Sequence, residues 1–103
     1  MREREPCVYI TASRKQGTLY TGVTSDLPGR VFQHREGITG GFTKRYDVKR
    51  LVWFERHEEM NSAILREKQI KEWKRLWKLQ LIEEQNLYWD DLAVTILGFD
   101  PLP

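Results

Sequence analysis

One cysteine, Cys7, occurs in the chain, so no intrachain disulfide can form and the fold must stand on packing and hydrogen bonds. No apolar run approaches the ~20 residues that cross a bilayer. Met1 to Glu5 is charged and lacks the apolar stretch of a secretory signal. A cytoplasmic protein is the expectation, with no membrane and no obligate protein partner. There is no internal repeat and no low-complexity segment. At 103 residues the chain has room for one domain, with a core expected over about 6–92 and a loose tail over 93–103.

What is present is an apolar fraction of 40%, enough for a core without staples, and an uneven distribution of charge. Residues 29–50 hold six Lys/Arg against two acids, residues 66–78 again six against two, and residues 83–100 five acids and no base. A net charge of +2 therefore hides two basic stretches and an acidic end. This pattern suits a side that faces a polyanion, and equally a set of solvated surfaces.

Residues 7–10 and 19–24 are short runs of β-branched and aromatic residues separated by a polar turn over Ser13–Gly17. Together they predict a β-hairpin. Gly22 inside the second run implies a bulge or a close approach of other atoms to the backbone. Thr24, Ser25 and Asp26 offer N-cap chemistry, and Pro28 is tolerated in a first turn, so a helix is expected over about Leu27–Glu36, ended by Gly37. Gly40-Gly41 begins a loop. Residues 51–55 form a nearly continuous apolar run, expected as a third strand at the sheet centre. Glu58 to about Gln85 is helical in character but long, with a break expected near Trp73 to Trp77. The order β-β-α-β-α-α predicts an α+β fold: a small mixed or antiparallel three-stranded sheet flanked by helices.

Several residues on this frame are candidates for chemistry. Glu67 shares a helical stripe with Met60, Ala63, Ile64 and Ile70, and a carboxylate there must be paired, metal-bound or at an edge that reaches water. Arg30 and His34 stand one turn apart beside Leu27 and Val31. Arginine forks bind phosphate, and histidine carries protons near neutral pH. Tyr9 and Tyr20 lie on the two hairpin strands, where tyrosine usually packs in a core. None of these signals is strong alone.

As an ordered set they are specific. Cys7-Val8-Tyr9, then Tyr20-Thr21-Gly22 eleven residues after Tyr9, Arg30 ten after Tyr20, His34 one turn on, and Glu67 in Leu65-Arg66-Glu67-Lys68-Gln69-Ile70 resemble the GIY-YIG nuclease family. Gly41-Phe42-Thr43-Lys44-Arg45-Tyr46 and Trp53-Phe54-Glu55 resemble its small stand-alone bacterial members. The chain departs from the name-giving motif at Cys7-Val8 and Thr21, positions with backbone and core roles. The resemblance implies a metal-dependent endonuclease that hydrolyses a phosphodiester, DNA more readily than RNA, in repair or recombination. It implies a catalytic set of Tyr9, Tyr20, Arg30, His34 and Glu67, with Glu67 as ligand of one Mg²⁺ or Mn²⁺. Gly22, Lys44, Arg45, Lys68, Lys71, Lys74 and Asn86 are the expected nucleic-acid contacts. The rival reading on the same fold is a catalytically silent nucleic-acid-binding module. Another is a partner-binding protein that uses Trp73, Trp77 and Trp89 as an apolar surface, although those rings suit packing of the last helices onto the sheet.

Overall fold

A computed structural model of the chain describes residues 5–38 and 41–103. The hairpin forms as expected, with β1 at Cys7–Ala12 and β2 at Leu19–Thr24 paired antiparallel from Cys7 opposite Thr24 to Ala12 opposite Leu19. α1 spans Leu27–Arg35. Asp26 caps it by accepting from the Gly29 amide at 3.3 Å, and Gly37, at φ +71°, takes the left-handed turn that ends it.

Two expectations about the middle of the chain are corrected. Residues 41–45, expected as loop, form a short helix α2, Gly41–Arg45, whereas Gly40 lies outside the described residues. The third strand, β3 at Arg50–Arg56, is an edge strand; the sheet order is β2-β1-β3 and wholly antiparallel. All six residues of β1 are buried, so β1 is the strand that needs partners on both sides. β3 is apolar for a different reason: helices pack on it from both faces, α4 on one and α5 on the other.

The long helical stretch breaks where its length suggested. α3 covers Met60–Glu72, Trp73 and Lys74 are extended with ψ near 150°, and α4 covers Arg75–Gln85. A last short helix, α5 at Leu92–Thr95, follows an irregular segment.

Strand alternation sorts the core into two layers. Val8, Ile10 and Ala12 face Ala63, Ile70, Ile82 and Trp89 under α3 and α4. Cys7 and Tyr9 face the other way, with Leu27, Val31, Leu51 and Ala93. The segment after residue 92, expected as a loose tail, closes that second layer. Ala93 is buried, Leu97 and Phe99 pack against the cluster, and Arg35 pairs with Asp91 at 3.0 Å while stacking on Phe99 at 5.0 Å. Charge alone masked this, because the acids there include helix caps and ion-pair partners as well as solvated groups. No helix among the described residues is long and apolar enough to cross a membrane.

Asn86, expected among the nucleic-acid contacts, has a structural place instead. Its side chain is buried; Nδ2 donates to the carbonyls of Val52 and Asp90, each at 2.9 Å, and Oδ1 accepts from the Asp90 amide at 2.9 Å. Both amide hydrogens are thereby used within the protein. Asn86→Ala is expected to lower stability by about 2–4 kcal/mol, because it strands buried backbone groups that have no water to turn to. Urea unfolding followed by circular dichroism measures this, and nucleic-acid affinity at a temperature where both proteins are folded should not change.

Candidate active site

Tyr9 organises the candidate site. It sits on the central strand, fully buried, directly opposite Gly22 on β2. A Cβ added to Gly22 would lie 2.5 Å from both Cζ and Oη of Tyr9. The ring therefore passes over the glycine at a distance that no side chain permits. Gly22 was expected to touch nucleic acid; it is buried beneath Tyr9, and its role is to let the tyrosine lie across β2.

Beyond Gly22 the Tyr9 hydroxyl reaches α1. It is 2.9 Å from His34 Nε2, with the two rings edge to face at 5.5 Å. His34 is 2% exposed, and the i, i+4 spacing from Arg30 puts both residues toward the same hydroxyl. The Arg30 guanidinium is a side-chain hydrogen-bond neighbour of Tyr9 and the main charged group near His34. Tyr20, half-buried, completes an aromatic triangle, 6.3 Å from Tyr9 and 5.4 Å from His34.

Glu67 arrives from α3. Its side chain is 13% exposed, and an exposed Lys71 one turn later pairs with it at 3.2 Å. Lys71, an expected phosphate contact, is exposed and also offsets the Glu67 charge. The carboxylate is close enough to Tyr9 to act on its ionisation. Arg30 and His34 thus approach the Tyr9 hydroxyl directly, Tyr20 flanks the Tyr9 ring, and Glu67 lies near enough to act on it.

The ionisation behaviour follows from this packing. Burial pushes the Tyr9 hydroxyl above its ordinary value; Tyr20 and Glu67 act in the same direction and Arg30 opposes them. His34 is lowered to about 4, first by burial and then by the Arg30 charge. At neutral pH it is an uncharged imidazole beside a neutral tyrosine. It is suited to fixing the Tyr9 hydroxyl by a hydrogen bond.

Among the described residues, no three His, Cys, Asp or Glu side chains gather in a cluster that could hold a metal unaided. The site has one shielded carboxylate. That donor fits the way magnesium and manganese are held when one protein carboxylate and a substrate phosphate supply oxygens and waters complete the shell. Lys44, Arg45, Lys68 and Lys74 are exposed, as phosphate-binding cations must be. Two aromatic residues of the family-like stretch over residues 41–46 had no site role in the sequence reading: Phe42 and Tyr46 are about half exposed, and Phe42 lies 6.4 Å from Tyr20. The available signal was their i, i+4 spacing around two cations.

A small antiparallel sheet with paired tyrosines on its hairpin, an arginine and a histidine on the next helix and a glutamate on a later one defines a nuclease-type domain. The chain matches the model of the GIY-YIG catalytic domain over residues 5–80 and belongs to that family, whose members are generally nucleases. It is 38% identical over 78 residues to the UPF0213 proteins of Staphylococcus aureus strains Mu3 and COL, an overlap of 76% of this chain and 94% of each relative. The solution NMR structure of the UPF0213 protein from Bacillus halodurans superposes with a TM-score of 0.54 at 27% identity, covering 93% of this chain and 99% of that one.

Two measurements check the geometry. Gly22→Ala is expected to cost about 1–3 kcal/mol by driving a methyl group into the Tyr9 ring. The cost should shrink in a Tyr9→Leu background, so a double-mutant cycle by urea unfolding should be strongly non-additive. For His34, the unfolded chain takes up a proton below about pH 6.5, whereas the folded chain resists until about 4. The stability tied to neutral His34 is therefore complete above pH 6.5, falls as pH drops toward 4, and amounts to at most roughly 3 kcal/mol. Unfolding free energies across that window should show a slope that His34→Gln largely removes.

Proposed function

We propose that this protein is a divalent-metal-dependent endonuclease that hydrolyses a phosphodiester bond in nucleic acid, DNA in preference to RNA. The observation that supports this reading is the gathering of Arg30, a neutral histidine, Tyr20 and the Glu67 carboxylate around Tyr9. Packing alone has no use for that set.

Each residue has a distinct part. Glu67 would hold one magnesium or manganese ion. When bound, such an ion supplies charge stabilisation at the scissile phosphate and its departing oxygen. Arg30 donates to a non-bridging phosphate oxygen and meets the negative charge that builds as water adds to phosphorus. Tyr20 is the tyrosine with access to solvent, and its hydroxyl orients the attacking water; as that water adds, its proton passes to the Tyr20 oxygen while the hydroxyl's own proton moves on to solvent. Tyr9 is buried and its ionisation is suppressed, so it acts as a positioning residue. Its hydroxyl, fixed by His34, holds Arg30 in place. Lys44, Arg45, Lys68 and Lys74 bind flanking phosphates through charge. A role in DNA repair or recombination accords with this chemistry.

Glu67→Ala should abolish cleavage of a DNA panel in Mg²⁺ or Mn²⁺ while leaving affinity in EDTA unchanged or tighter, because a negative charge beside the phosphates is gone. Arg30→Ala should lose cleavage and some affinity as well, since its contact exists in both ground and transition states. Cleavage by Glu67→Ala at the wild-type rate would refute the metal-ligand assignment. A wild-type protein that binds but cuts no DNA or RNA with either ion would return the fold to a silent binding module.

A further inference from the structure

Aromatic rings continue outward from the site. His34 is buried, Tyr20 is half-buried, and then come Phe42 at 49% exposure and Tyr46 at 45%. Neighbouring ring centroids are 5.4 Å apart from His34 to Tyr20, 6.4 Å from Tyr20 to Phe42 and 5.0 Å from Phe42 to Tyr46. The first two rings serve the site. The last two sit on solvent, where aromatic side chains give up most of the burial that usually places them inside.

The segment that carries them is tied to the scaffold. Thr43, between the rings, is buried, and Val48, also buried, donates its amide to the Thr43 carbonyl at 2.9 Å. The Lys44 stem runs past Gly37 at the end of α1. The rings are thus displayed from an anchored turn. Their surroundings are cationic: Lys44 and Arg45 lie between them in sequence, and the Arg45 guanidinium stands 5.5 Å from the centre of the Tyr46 ring. Half-exposed rings beside cations, continuous with a phosphate-binding site, match the chemistry that binds an unstacked nucleobase together with its backbone. A base inside an intact duplex offers no free face to such rings; an unpaired one does.

We propose that Phe42 and Tyr46 form a stacking step for a base next to the scissile phosphate, so that the substrate is nucleic acid in which that base is unpaired. The assignment rests on the nuclease reading for its position relative to the cut. Arg45 and Lys44 hold the phosphates on either side of the stacked base, and Phe42 hands the strand to Tyr20 and Arg30. Intact duplex is accordingly a poor substrate, and a strand with its bases free at the cut is a good one.

The test compares two ligands of equal charge, a labelled oligothymidylate and an abasic deoxyribose-phosphate oligomer of the same length, each titrated into the full protein in EDTA so that nothing is cut. Wild-type protein should bind the oligothymidylate about tenfold more tightly. Phe42→Ala/Tyr46→Ala should lose that preference while keeping its affinity for the abasic strand, and Tyr46→Phe, which retains the ring, should keep the preference. Thermal melting confirms that each variant is folded. Equal binding of both ligands by wild type, or an undiminished preference in the double alanine variant, would overturn the proposal, as would tighter binding of fully paired duplex. Cleavage is scored separately. A protein that cuts but is indifferent to Phe42 and Tyr46 refutes the stacking step and leaves the nuclease reading standing. One that prefers free bases but never cuts does the reverse.

Discussion

The contact between the Tyr9 ring and the bare backbone of Gly22 is the constraint on which the rest of the site depends. A tyrosine on a central strand ordinarily stands upright from the sheet and ends in the core. Here the absence of one side chain on the neighbouring strand lets the ring lean over β2 and bring its hydroxyl to the far side. That hydroxyl gives Arg30 and His34 a common target, and the Tyr20 ring lies 6.3 Å from the Tyr9 ring. Remove the glycine and each of these groups loses its reference point. The low dielectric around the buried hydroxyl also explains why His34 remains neutral: two polar groups that satisfy each other are stable there, and a cation next to Arg30 is not.

Much of the fold was legible because local chemistry and tertiary role agreed. The hairpin, the Asp26 cap, the Gly37 stop and the break at Trp73-Lys74 all rest on signals a few residues long. The position of β3 was not legible. A run such as Leu-Val-Trp-Phe reads the same whether a strand is hydrogen-bonded on both sides or merely covered on both faces, since hydrophobicity reports burial and not pairing. α2 was missed because five residues, Gly41–Arg45, are too few to show a period. The C-terminal segment was misread because Asp91 appears in sequence as one of a group of acids, whereas in the fold it caps α5, pairs with Arg35 and accepts from the Leu51 amide.

The site divides in a similar way. Tyr9, Tyr20, Arg30, His34 and Glu67 were each ambiguous, and only their order and spacing joined them. What the spacing left open was which tyrosine faces water, and burial separates the two: Tyr9 is enclosed, Tyr20 is partly open. The lysines and arginine among the expected nucleic-acid contacts were chosen by charge, a criterion that finds exposed cations; Asn86 and Gly22 came from motif positions. Asn86 turns its amide inward and Gly22 serves the tyrosine opposite. The criterion also passes over rings such as Phe42, which carry no charge and so look like ordinary core.

The clasp made by Asp91, Ala93, Leu97 and Phe99 over the Tyr9 layer has a consequence for how the molecule comes into being. Synthesis delivers the hairpin and α1 early, and their pairing is local. The layer beneath Tyr9 nevertheless lacks Ala93, Leu97 and Phe99, and Arg35 lacks its carboxylate and its ring partner, until residues 91–99 have been made. The packing around Tyr9 is therefore complete only once that segment is in place. A nascent polypeptide halted at residue 90 would carry every residue of the motif and still lack the floor that holds them in register.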